Sequence, residues 1–147
     1  MELKELYQEI ILDHGKNPRN KGKCNQFNHE AKGHNPLCGD KVHIFLKLNS
    51  EKKVEDLSFE GEGCAISMAS ASILTEIIKG KEYNLAKKII EDFLNMIKKE
   101  IKITINSLTD DQKTTIMSLS GVKKYPMRVK CATMAWHTLT AALEEKK

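Results

Sequence analysis

Four cysteines stand at positions 24, 38, 64 and 131, and three have settings where a thiol can react or bind metal. Cys64 follows Gly61-Glu62-Gly63, where the strand-like run Leu57 to Glu60 gives way to a helical pattern. Glycine permits tight backbone turns, and the residue opening a helix lies beside N–H groups that have no internal partner. The positive end of the helix dipole also favours thiolate over thiol. Cys64 therefore reads either as a reactive or metal-binding sulfur, or as a small buried hydrophobe. Cys38 lies on the Pro/Gly loop Asn35-Pro36-Leu37-Cys38-Gly39-Asp40, with Asp40 placed to add a hard oxygen ligand. Cys131 is near the start of the final helix, on its apolar side. No C-x-x-C pair occurs, which removes the usual support for a thioredoxin-like motif or zinc ribbon. If the fold gathers them, Cys38, Asp40, Cys64 and Cys131 make a Cys₃Asp set suited to tetrahedral zinc. That set is net anionic, so cations should neighbour it. Arg128 and Lys130 flank Cys131; without the cysteines they would read as an ordinary solvated basic face.

The 147 residues set the length of one domain, expected to span 1–147, with 30% charged and 40% hydrophobic residues. Aromatics are only 5%, so the core must be mainly aliphatic. No apolar run approaches a membrane span, and the acidic, amphipathic start is unlike a signal peptide. The cytoplasm is the expected compartment, where cysteines serve metal binding or catalysis more often than disulfides. The net charge of +4 is mild and spread out, which argues against a nucleic-acid binder.

Periodicity places the elements that must position these residues. Leu3, Leu6, Tyr7, Ile10 and Ile11 predict a first amphipathic helix ending near His14-Gly15. A weakly patterned strand is expected over Phe27 to Lys32. The alternation of Val42, Ile44, Leu46 and Leu48 is the clearest strand, followed by a turn at Asn49 to Lys52 and a returning strand with an irregular start at Val54. The helix opened by Cys64 runs to a glycine cap at Gly80, and its serines at 67, 70 and 72 suggest close packing on the sheet. Further helices are expected over Leu85 to Lys98 and from Thr109 through Leu119, with Lys99 to Asn106 ambiguous and Gly121 closing that region. Tyr125-Pro126 opens the last helix, whose tail from Glu144 should fray. Strands first and helices after make the fold α+β: a small antiparallel sheet of about three strands covered by helices.

Three motifs make the chain resemble a known family. Asn35 to Asp40, Gly61 to Ser67, and Arg128-Val129-Lys130-Cys131-Ala132 are similar to the cysteine motifs of the U-type iron–sulfur scaffolds, the NifU N-terminal-like family. Leu12-Asp13-His14 and Asn17 to Gly22 resemble that family's N-terminus, with Gly15 where a tyrosine is common. Within it the chain looks like the SufU branch: Lys130 precedes the last cysteine where the IscU branch carries histidine, and Leu85 to Tyr125 looks like the SufU insertion. The resemblance implies zinc on Cys38, Asp40, Cys64 and Cys131, with sulfur accepted from a pyridoxal-phosphate cysteine desulfurase of SufS type.

Three functions then compete. The first is a zinc-dependent sulfur acceptor and carrier, with Cys38 receiving the sulfur and Arg128 assisting. The second is a scaffold on which an iron–sulfur cluster is built and passed to downstream assembly proteins. The third is a zinc-stabilised interaction module, against which the carboxylate and the loop-borne Cys38 argue. Cys24 reads as incidental. None of the five histidines has a partner at metal-ligand helical spacing.

Overall fold

The computed structural model describes residues 2–99 and 108–145. The elements follow the order α1 (Leu3–Lys16), β1 (His29–Asn35), β2 (Asp40–Leu48), β3 (Val54–Glu62), α2 (Ala65–Ile78), α3 (Tyr83–Lys99), α4 (Asp110–Met117), a 3₁₀ segment (Ser118–Lys124) and α5 (Pro126–Leu143). The three strands form one antiparallel sheet in the order β1-β2-β3. This is the expected α+β architecture, with helices covering one face of the sheet.

The first strand is displaced from its expected position and reaches Asn35, directly opposite Asp40. Residues 36–39 are thus the turn of a β-hairpin. The weak alternation of this segment hid the strand, because its pairing comes from β2 and not from its own side chains. The irregular start of β3 is a bulge: Lys47 pairs with Asp56 and Leu48 with Val54, leaving Glu55 as the extra residue. Val54 thereby joins Leu57 and Phe59 in the core, all fully buried. Phe45, on the opposite face of β2, is also buried, under the edge of the Phe27 ring. The outer edge of β3 is covered by the chain at 20–22, where Gly22 donates to the Phe59 carbonyl and Phe59 donates to that of Asn20.

Two sequence readings of the helices change. Ser70 and Ser72 of α2 face helices, not the sheet. Ser70 Oγ donates to the Ala132 carbonyl of α5 and accepts from Trp136 Nε1, while Ser72 Oγ accepts from the Arg19 N–H and meets His14 Nδ1 at 2.8 Å. The described part of the stretch that resembles the SufU insertion packs into the core: Ala86, Ile89, Phe93 and Met96 of α3 are buried, and Phe93 stacks on Trp136 with ring centroids 3.9 Å apart. Thr109 and Gln112 form a reciprocal capping box at the start of α4. Gly121 does not close the segment, since the 3₁₀ turns run through it to Lys124. Pro126 opens α5, whose Cys131, Ala135, Leu139 and Ala142 are fully buried. The ambiguous stretch from Lys99 lies, after Lys99 itself, outside the described residues, as do the last two residues of the tail.

Candidate metal centre

Three elements converge at one end of the sheet. The β1–β2 turn carries Cys38, and Gly39 follows it in the left-handed region at φ +68°, a conformation that glycine adopts without strain. Asp40, first residue of β2, is fully buried. Its Oδ1 accepts the backbone N–H of Cys64 at 2.9 Å and its Oδ2 lies 3.4 Å from the Asn35 side-chain amide. The carboxylate therefore ties the hairpin to the start of α2. Cys64 is the N-cap of that helix, its Sγ accepting from the Ser67 N–H at 3.4 Å. Cys131 enters from α5, buried, with its Sγ 3.6 Å from that of Cys38.

Among the described residues, a sulfur from Cys38, a carboxylate oxygen of Asp40 and the sulfur of Cys131 all lie within 4.8 Å of one another. Cys64 stands at the rim of this cluster, near enough to act on Cys131. The Cys131 thiol is pushed far above the ordinary range, first by burial, then by hydrogen bonding with Asp40, Cys38 and Cys64. A thiolate there is costly unless a cation compensates it, which is what a metal-binding donor set requires. Arg128 supplies part of that compensation from the surface. Its guanidinium is held charged by a hydrogen bond to Cys131 and by the nearby Cys64 and Cys38 sulfurs.

The profile of the NifU-like N-terminal domain matches residues 6–145. The chain belongs to the NifU-like N-terminal domain family. Among its NifU-like relatives, the zinc-dependent sulfurtransferase SufU of Bacillus subtilis is 43% identical over 99% of this chain and 94% of its own length. The iron–sulfur cluster assembly scaffold protein IscU of Streptococcus pyogenes is 33% identical, over 97% of this chain and 85% of that one. A crystal structure of a candidate iron–sulfur assembly scaffold for the SUF system from Fervidobacterium islandicum matches with a TM-score of 0.79 at 34% identity, covering 95% of this chain and 98% of that one. A NifU-like N-terminal domain from Brucella abortus shares the fold, with a TM-score of 0.81 at 21% identity over 99% of both chains.

The NifU-like fold thus gathers Cys38, Asp40 and Cys131, sets Cys64 beside them, and leaves Cys24 apart. Cys24 is buried with its N–H on Ser58 Oγ, and burial raises its pKa. His43 lies on the outer face of β2, stacked on Phe45 and 2.8 Å from Glu30 Oε1. Asn35 and Ser67 escaped the sequence reading as residues of the site, and Gly63, read there as a turn, has a further role. Asn35 is buried, and its amide also reaches Cys131 Sγ at 3.8 Å. Its place before Pro36 was the available signal. Gly63, at φ +150°, leaves no room for a Cβ, which would strike the Asp40 carboxylate. Ser67, in the first turn of α2, has a buried hydroxyl without a hydrogen-bond partner among the described residues, a placement that no sequence pattern marks.

Proposed function

We propose that this chain is a zinc-dependent sulfur acceptor and carrier. It takes sulfur from the persulfide of a pyridoxal-phosphate cysteine desulfurase of SufS type and delivers it to downstream iron–sulfur assembly proteins. Cys38, Asp40, Cys64 and Cys131 are the residues that would hold zinc, whose thiolate and carboxylate preferences match this donor set. When bound, the metal keeps its thiolates deprotonated at neutral pH. The observation that carries the reading is the contrast between two adjacent sulfurs. Cys38 is part-exposed on a hairpin turn and Cys131 is buried on a helix, 3.6 Å away.

Cys38 is therefore the acceptor. Its thiolate attacks the outer sulfur of the incoming persulfide. The new S–S bond forms on Cys38, the old one breaks, and the desulfurase cysteine leaves as a thiolate. Arg128, at the mouth of the site, offers its guanidinium to the anionic sulfur in transit. Asp40 and Asn35 keep the hairpin registered against α2 and α5 while Cys38 moves.

Mass spectrometry after one turnover without reductant tests the assignment. The peptide containing Cys38 should gain one sulfur atom, Cys38→Ser should abolish acceptance, and Cys24→Ser should be silent. Sulfur mapped to Cys64 or Cys131, with Cys38 unmodified, would overturn it. Likeness to IscU over nearly the whole chain supports a second reading, a cluster scaffold using the same donors. Brown protein with visible absorption favours the scaffold; colourless protein with stoichiometric zinc favours the carrier.

A further inference from the structure

A groove of about 850 Å³ lies between the β1–β2 hairpin and α5, behind the face that carries Arg128. Ile97, Val129 and Met134 give it an apolar floor. Its cations come from three separate elements: Lys98 at the end of α3, Lys123 in the 3₁₀ segment and Lys130 on α5. No aspartate or glutamate is among its described lining residues. None of the three lysines makes an ion pair with a described residue. Elsewhere Lys47, Lys79, Lys87 and Lys88 each pair with a carboxylate at 2.9–3.3 Å. His34 and His137 add to the same lining. Burial, then the neighbouring charge of Lys98, lowers the pKa of His137, so the groove's positive charge comes from its lysines.

We propose that this groove docks an acidic, amphipathic segment of a partner protein. Unpaired cations around an apolar floor suit spaced carboxylates flanking apolar side chains, and electrostatic complementarity of that kind sets partner choice and register. The cations are spread over three elements instead of focused on one point, which fits an extended segment better than a single small anion. No Phe, Tyr or Trp is among the described residues lining the groove, so a nucleic-acid strand would lack a stacking platform there. Pro36 and Leu37 belong to both the groove and the Cys38 turn, and Leu37 is 60% exposed. A partner held here is placed beside Cys38. The docking stands whether or not that cysteine carries sulfur.

The test uses the full-length, zinc-loaded protein and a short fluorescein-labelled peptide with a leucine pair flanked by glutamates. A glutamine-for-glutamate analogue serves as the neutral control. Fluorescence anisotropy should show binding that weakens with salt and is absent for the analogue. Reversing Lys98→Glu, Lys123→Glu and Lys130→Glu together should weaken binding by roughly tenfold or more. Reversing Lys16→Glu, Lys53→Glu and Lys81→Glu, remote from the groove, should change it by less than about twofold. In unmodified protein, the imidazole signals of His34 and His137 should shift as peptide is added, a readout that needs no variant to fold. Equal binding of the analogue, or equal loss in both triple variants, would overturn the proposal. It would also fall if the peptide fails to bind while a short RNA does, or if sedimentation shows a second copy of the chain occupying the groove.

Discussion

Asp40 does two things with one carboxylate, and substitutions can separate them. Oδ1 receives the Cys64 N–H at the head of α2, and the group also belongs to the donor cluster. Asparagine can still accept that N–H but lacks the charge. Asp40→Asn should therefore lower zinc affinity in a chelator competition and leave the metal-free melting temperature near that of the parent. Asp40→Ala should lose both, with about 1–3 kcal/mol of stability gone as a buried donor goes unpaired. If both variants bind zinc as tightly as the parent, Asp40 is no ligand. Arg128 and Lys130 also part company. The Arg128 guanidinium acts electrostatically on Cys131, Cys64 and Cys38, whereas Lys130 opens on the neighbouring groove. Arg128→Ala should slow sulfur acceptance from purified desulfurase more than Lys130→Ala, because a guanidinium holds an anionic sulfur with a fixed fork. Equal rates would assign both to a solvated basic face.

At the scale of elements, α1 is fastened to α2 by a buried histidine. Ser72 Oγ accepts the Arg19 N–H, leaving its own proton for His14 Nδ1, while His14 Nε2 points at Glu76 Oε1 3.4 Å away. Burial, then Arg19, lower the pKa of His14 from 6.5, against the opposing pull of Glu76 and Asp13. The unfolded chain therefore takes up this proton at a higher pH than the folded one. The stabilising contribution of neutral His14 is full above 6.5 and is lost as the pH falls through the lower folded value. His14→Asn keeps an acceptor near Nδ1 and removes the titration. Its melting temperature should fall less than the parent's as the pH drops below 6.5, measured by circular dichroism. Parallel curves would show that α1 is held by other contacts.

For the whole molecule, the proposed ligands join a hairpin turn, the head of α2 and the first turns of α5. Metal bound there ties together segments distant in the chain and should resist their separation. Structural zinc in isolated peptides is worth on the order of 10 kcal/mol. Here the gain should be smaller, because Trp136, Phe93, Phe59 and their neighbours already form a buried core. Chelation should lower the calorimetric melting temperature by several degrees while the far-ultraviolet spectrum stays helical. An unchanged transition after verified zinc removal would contradict the four-residue site.

The sequence by itself determined the family, the α+β class and three of the site's settings. Those depend on local signals: Gly63 before a helix-opening Cys64, Gly39 after Cys38, Pro126 ahead of Cys131, and the strict alternation of β2. Local signals also located the Thr109 cap and the apolar face of α5. Tertiary structure alone decided what those settings face. β1 owes its place to its register with β2, and its own sequence carries no matching pattern. Ser72 turns to α1 and Ser70 to α5, and hydrogen-bond partners across a helix interface have no signature along one chain. Asn35 reaches Cys131, and α3 enters the core, through contacts between residues far apart in sequence. The groove beside α5 exists for the same reason. Lys98, Lys123 and Lys130 look like scattered surface charge until packing brings three elements to one wall.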